Sequence, residues 1–222
     1  MKLFQFAYSP YAAKVRKCLE LKGIAFELVE VPYLDRRELV QLTGGIIMLP
    51  VLADRDTVVC DSPRITDYLD QRYAPSLRPP PLGAAAAVFE SWSDNVLEDV
   101  AFRLASPACE KRIAALNGGR EDARAMYRFV KERKFGPGCV DAWDKGAPEL
   151  RARLFALLAP LVRTLEAQPF LLGTRATLAD AAVYGNLHML EWAMPGWIGE
   201  HVPELAGWYE RIDRARNVDE VG

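Results

Sequence analysis

Paired cysteines are missing from this chain. Cys18, Cys60, Cys109 and Cys139 are scattered, and no two of them form a CxxC spacing. Histidine is scarcer still, limited to His188 and His201. These two shortages speak against a zinc site and against a disulfide framework. No apolar run approaches the roughly 20 residues that span a bilayer. A charged N-terminal region leading into an apolar signal core is also lacking, so a cytoplasmic protein without membrane attachment is expected. Neither sign of charge dominates. The 28 Lys and Arg residues face 30 Asp and Glu residues, for a net charge of −2, so neither nucleic acid nor an anionic membrane is an expected partner. Repeats and low-complexity segments are absent as well. What is present is ordinary globular material. In 222 residues, 50% are apolar and 26% charged, which is enough to bury one large core or two small ones.

Residues 1–73 alternate between strand and helix patterns. The run 3–7 reads as a strand. Residues 10–22 read as an amphipathic helix, with Pro10 in the first turn and Gly23 at the C-terminal cap. A second strand is expected over 26–31 and a short helix over 35–42, with Asp35 as its N-cap. Residues 51–53 and 57–60 read as a hairpin around Asp54-Arg55-Asp56. A helix over 62–72 starts Ser-Pro, which suits Ser62 as N-cap. The order βαβαββα predicts an α/β layer structure with a mixed sheet.

The stretch APSLRPPPL follows, and Pro75, Pro79, Pro80 and Pro81 cannot continue a helix. It reads as a stiff linker over 75–82, between a unit at 1–74 and a second at 83–222. Helical spacing marks 84–103, 121–133, 148–167, 178–193 and 203–214, so the second unit is expected to be all-α.

Three local patterns stand out. Tyr8-Ser9-Pro10 places hydroxyls at the joint between a strand and a helix. MLPVL sets Pro50 just before a strand, where a cis bond costs only about 0.5–1 kcal/mol. Thr177-Leu178-Ala179-Asp180 has the form of a capping box that opens a core helix, with Asp as a shorter substitute for Glu.

These motifs, in this order, resemble the cytosolic glutathione transferase superfamily, closest to its serine-type classes. SPYAAKVRKCLELKGIAFELVEV is similar to the family's first strand–helix–strand unit. MLPVL is similar to its cis-proline loop, CDSPRITDYLDQRY to its acidic-Ser segment, and GTRATLADAAVYG to its capping-box segment. The resemblance covers nearly the whole chain. It implies a thioredoxin-like N-terminal domain, an all-helical C-terminal domain, glutathione as co-substrate, no metal, and a homodimer.

The chemistry so implied needs a thiolate. A free thiol titrates near ~8.5, and lowering that by two units requires about 2.7 kcal/mol of differential stabilisation. A helix N-terminus and one hydroxyl donor together reach this range. The resemblance makes Ser9 the donor to the glutathione sulfur, although Ser9 also suits a plain helix cap. Tyr8 is the rival donor. Positions 8–12 hold no cysteine, which opposes a cysteine-type thiol transferase, and Cys18 reads as a buried small hydrophobe. Asp61 and Ser62 are expected to bind the γ-glutamyl end, and the Leu49-Pro50 backbone the cysteinyl part.

The pattern departs from the family at one place. Ile46, Ile47 and Met48 stand where family members often carry Lys, Arg or Gln for the glycyl carboxylate, which leaves Arg36 or Gln41 to replace it. Tyr11, Trp92, Phe102, Tyr127 and Trp143 are candidates for a second-substrate pocket between the halves, although aromatics at helical spacing also suit a core. The cluster Lys131, Arg133 and Lys134 reads either as a helix end facing its own dipole or as part of that pocket. The function expected is conjugation of glutathione to a small hydrophobic electrophile. A glutathione-dependent isomerase, dehalogenase or peroxidase, or a non-catalytic binding protein of the same fold, stands as the alternative.

Overall fold

The computed structural model describes residues 1–218, so the end of the expected 83–222 unit, at 219–222, lies outside the described residues. The first half contains β1 (Lys2–Gln5), α1 (Pro10–Leu21), β2 (Glu27–Glu30), α2 (Arg37–Thr43), β3 (Val51–Asp54), β4 (Thr57–Cys60) and α3 (Ser62–Arg72). The strands form one mixed sheet in the order β2-β1-β3-β4. Strand β2 runs parallel to β1, and the β1–β3 and β3–β4 pairs are antiparallel. Leu3, Phe4 and Gln5 of inner strand β1 are buried, while edge strands β2 and β4 are largely open. This is a thioredoxin-like layer. Its register has one consequence for function. Phe4 pairs with Val51, and Val51 pairs with Cys60. The loops that leave β1, enter β3 and leave β4 therefore emerge side by side at one end of the sheet.

The second half is helical: α4 (Gly83–Trp92), a π-helical turn (Ser93–Leu97), α5 (Glu98–Leu116), α6 (Glu121–Phe135), α7 (Cys139–Lys145), α8 (Ala147–Ala167), α9 (Leu178–Ala193), α10 (Trp197–His201) and α11 (Pro203–Arg214). Helix α9 is buried on nearly every side and packs on α1, α4 and α5. Its start is a capping box. The Ala179 N–H donates to Thr177 Oγ1 at 3.3 Å, and the Thr177 N–H donates to Asp180 Oδ2 at 2.9 Å. Asp180 Oδ1 also accepts from the Leu171 N–H and from Trp208 Nε1, each at 3.0 Å. This buried carboxylate is thereby satisfied by fixed donors, as burial demands.

Helix α1 joins the two halves. Lys14 is buried and pairs with Glu90 at 3.0 Å and Asp94 at 2.5 Å. Glu90 also accepts from Thr66 Oγ1 and Arg78, each at 3.0 Å. One network thus ties α1, α3 and the connection 75–82 to α4.

The structure corrects several sequence expectations. The helix expected at 84–103 is broken by the π turn and then runs on to Leu116. Pro107 lies inside α5, where its missing N–H removes one helix hydrogen bond. Burial of Ala105, Cys109 and Ile113 carries the helix through it. The N-cap of α2 is Arg36 rather than Asp35. Asp35 instead accepts from the Arg37 N–H at 3.1 Å and pairs with the Arg37 guanidinium. The N-cap of α3 is Asp61 rather than Ser62, which is the buried first residue of the helix.

Gly185 of α9 marks a close approach of the two halves. A Cβ there would fall inside contact distance of the Pro10 carbonyl oxygen and 3.1 Å from Lys14 N. Gly185→Ala is expected to destabilise the protein by about 1–3 kcal/mol through overpacking. Gly207 of α11 has open space around it, and Gly207→Ala is expected to stabilise by about 0.5–1 kcal/mol. Denaturant midpoints of the two variants check both signs.

Candidate active site

Ser9 sits where β1 turns into α1. Its backbone is extended (φ −72°, ψ 122°), and its N–H donates to the Phe6 carbonyl at 2.9 Å. Ser9 Oγ accepts from the Ala12 N–H at 3.3 Å, so Ser9 is the N-cap of α1, and Pro10 follows in the first turn. A hydroxyl that accepts in this way keeps its own proton free to donate. Ser9 therefore combines the positive end of a helix dipole with a hydroxyl whose proton is uncommitted in that bond.

The sheet register sets two more groups beside it. Leu49–Pro50 is a cis peptide bond immediately ahead of β3. Asp61 leaves β4 with φ 79°, in the left-handed region that non-glycine residues rarely adopt. Its carboxylate makes no capping bond to α3, so the side chain is not committed to closing the helix. Backbone held in such a conformation is found disproportionately at ligand sites.

Between the two halves lies a cavity of about 180 Å³. Tyr8, Ser9, Tyr11, Tyr33, Arg36 and Leu49 line it from the α/β side. Glu98 and Phe102 of α5, with Lys131, Lys134 and Phe135 of α6, line it from the other. Tyr8 packs flat on Phe6 at 5.5 Å between ring centroids and against Trp192 at 5.6 Å. Burial holds its phenol well above the ordinary range, so Tyr8 stays protonated. Burial, then the Glu98 and Asp94 carboxylates, also push the Tyr11 phenol up, and its hydroxyl donates to the Asp94 carbonyl at 3.4 Å.

Of the candidates named from sequence, Tyr8, Ser9, Tyr11, Leu49 and Phe102 meet on this cavity. Pro50, Asp61 and Ser62 do not line it, although the sheet register sets them at one end of the sheet. Tyr127 does not line it. It is fully buried, bonded through its hydroxyl to Ser106 at 2.8 Å, and it supports Tyr8 from behind at 6.3 Å. Trp92 faces a different surface groove, packed edge-on against Phe89 and near Leu157 of α8. Trp143 backs the cavity, edge-to-face with Phe102 at 5.8 Å and Phe135 at 5.2 Å.

The basic cluster splits. Lys131 and Lys134 line the cavity, while Arg133 turns to Phe129. Arg36 reaches the cavity, stacked 5.0 Å from Phe6 and donating to the Ile47 carbonyl at 3.1 Å. Gln41 lies elsewhere, on a surface depression with Pro32 and Arg37. Tyr33 and Glu98 were missed by sequence reading, because no motif or spacing distinguishes them from neighbouring surface residues. Among the described residues, no cluster of His, Cys, Asp and Glu has the form of a metal site, and no helix is long and apolar enough to cross a membrane.

Residues 3–79 match the family model of the glutathione S-transferase N-terminal domain, and residues 114–211 that of the glutathione S-transferase C-terminal domain. Glutathione S-transferase U1 of Arabidopsis thaliana is 28% identical over 140 residues, 61% of this chain and 61% of that protein. The chain therefore spans less than two thirds of that relative. Glutathione S-transferase U7 of the same plant is 26% identical over 172 residues, 75% of this chain and 72% of that protein. Among solved structures, glutathione transferase GSTFuA3 of Phanerochaete chrysosporium superposes with a TM-score of 0.78 at 20% identity, covering 96% of this chain and 95% of that one. With both family domains matched in order around one interdomain cavity, the chain belongs to the cytosolic glutathione transferase superfamily.

Proposed function

We propose that the protein activates glutathione through Ser9 and transfers its sulfur to a small electrophile seated in the interdomain cavity. One observation carries this reading. The Ser9 hydroxyl lines the cavity at the N-terminus of α1, with its oxygen already engaged by the Ala12 N–H. Its single hydroxyl proton is not used in that bond. The α1 dipole favours the thiolate over the thiol, and a donated hydrogen bond adds to it. In the reaction, the thiol proton leaves to solvent and the sulfur forms a new bond to the electrophile's carbon. The leaving group departs with its bonding pair, so no oxidant or reductant is needed.

In this proposal residues 1–74 are the glutathione-binding unit, 75–82 the linker, and the following helices the electrophile side. Asp61 accepts from the glutathione amino group. Ser62 and the first turn of α3 receive the γ-glutamyl carboxylate. The Leu49–Pro50 backbone meets the cysteinyl part. Arg36 takes the glycyl carboxylate in place of the basic residue absent ahead of Pro50, a role supported by its place on the cavity and its bond to Ile47. A cytoplasmic homodimer belongs to the same proposal.

Ser9→Ala is expected to raise the pKa of bound glutathione, read from a pH–rate profile, and to lower kcat/KM about 10- to 100-fold. It also removes the α1 cap, at a cost of about 0.5–2 kcal/mol in stability. Tyr8→Phe should leave the profile in place. A normal Ser9→Ala profile together with an inactive Tyr8→Phe would transfer the role to Tyr8. Calorimetric titration with reduced glutathione should saturate, and Asp61→Ala and Arg36→Met should each weaken binding by about tenfold. Unchanged affinity in either variant removes that residue from the site.

A further inference from the structure

The buried lysine ammonium groups described in this protein stand beside carboxylates. Lys14 pairs with Glu90 and Asp94, Lys17 with Glu20, and Lys22 with Asp70. All three lysines are buried, and a buried charge needs such a partner. Lys131 is half-buried on α6, yet among the described residues no carboxylate stands within ion-pair distance of it. Its Nζ lies instead 4.8 Å from the Phe102 ring centroid and 4.8 Å from that of Tyr127. Aromatic faces attract a cation but leave its charge unneutralised. Lys134, over Phe135 at 4.8 Å, adds a second cation to the same wall.

The space beside these groups is small and mostly apolar. An apolar cavity of about 150 Å³ takes up benzene. The cavity here, about 180 Å³, therefore has room for one substituted ring. Phe102 and Phe135 give such a ring two aromatic walls.

We propose that the second substrate is a single-ring aromatic anion, with its ring against Phe102 and Phe135 and its acidic group paired with Lys131. This rests on the transferase reading of the site and sharpens the apolar electrophile expected from sequence. The groups that face Lys131 are Glu98 and Cys109 of α5, Lys134 of α6, and Arg36 ahead of α2. Burial pushes Cys109 up to about 12, so it remains an uncharged thiol. Glu98 is the opposing group, and burial pushes it up to about 7. Burial lowers Lys131 to about 8. Rising pH first charges Glu98 and then discharges Lys131, and both steps disfavour a bound anion.

The test is calorimetric titration of the glutathione-free protein with para-nitrobenzoate and with its neutral counterpart para-nitrobenzamide. The carboxylate is expected to bind about tenfold more tightly than the amide. That preference should disappear in Lys131→Met, persist in Lys131→Arg, and decline between about pH 6 and about pH 9. Equal affinities of the two probes for the wild-type protein, or no binding of either, overturn the proposal whatever the variants do. A preference that survives Lys131→Met overturns it as well. Saturable glutathione binding without a carboxylate preference removes this inference alone. A carboxylate preference without glutathione binding removes the transferase reading and leaves an anion site.

Discussion

The contact between Gly185 and the first turn of α1 governs the rest of the molecule. The Pro10 carbonyl and Lys14 backbone lie so close to α9 that no side chain fits between them. Ser9 directly precedes that turn, so the hydroxyl proposed to meet sulfur is positioned by a helix from the other half of the chain. Lys14 reinforces the same seam with two carboxylates from the α4 region. The seam is held in register by backbone contact and charge pairing, and both resist small displacements. A hydrogen-bond donor in a catalytic site must hold its direction through the reaction, and this arrangement supplies that rigidity.

Much of this was legible in the sequence where a feature depends on neighbours along the chain. The Ser9 cap, the proline ahead of β3 and the Thr177–Asp180 box are local devices, and local chemistry determines them. Asp61 and Ser62 show where local reading stops. Ser-Pro satisfies the cap rule, yet sheet pairing ends at Cys60 and forces the turn onto Asp61, which takes φ 79°. Tyr127 and Trp92 fail for a tertiary reason. Helical spacing says that an aromatic faces inward but does not say against which neighbour. Tyr127 went to the core and Trp92 to the α4–α8 groove. Tyr33 and Glu98 reach the cavity only because distant segments bring them there.

The two sides of the cavity hold charge by different means. On the α/β side, the elements proposed to bind anions are helix N-termini and backbone groups at the sheet end, with Arg36 added from the side. Those elements come with the fold and survive most surface substitutions. On the helical side, the positive charge resides in the side chains of Lys131 and Lys134 on one face of α6. Such charges can change one residue at a time without disturbing a packed core.

That asymmetry accounts for the aromatic surroundings of Lys131. A carboxylate partner would neutralise the ammonium and fill part of a cavity of only about 180 Å³. Aromatic faces stabilise the charge in part while leaving its outward side open. The same rings also form the apolar wall. An isolated ammonium at this depth is costly, and burial expresses the cost by lowering Lys131 to about 8. A ligand that brings its own negative charge relieves that cost on binding, whereas a neutral ring of the same shape does not. Discrimination between the two then follows from the unpaired state of the free protein, with no movement of the fold required.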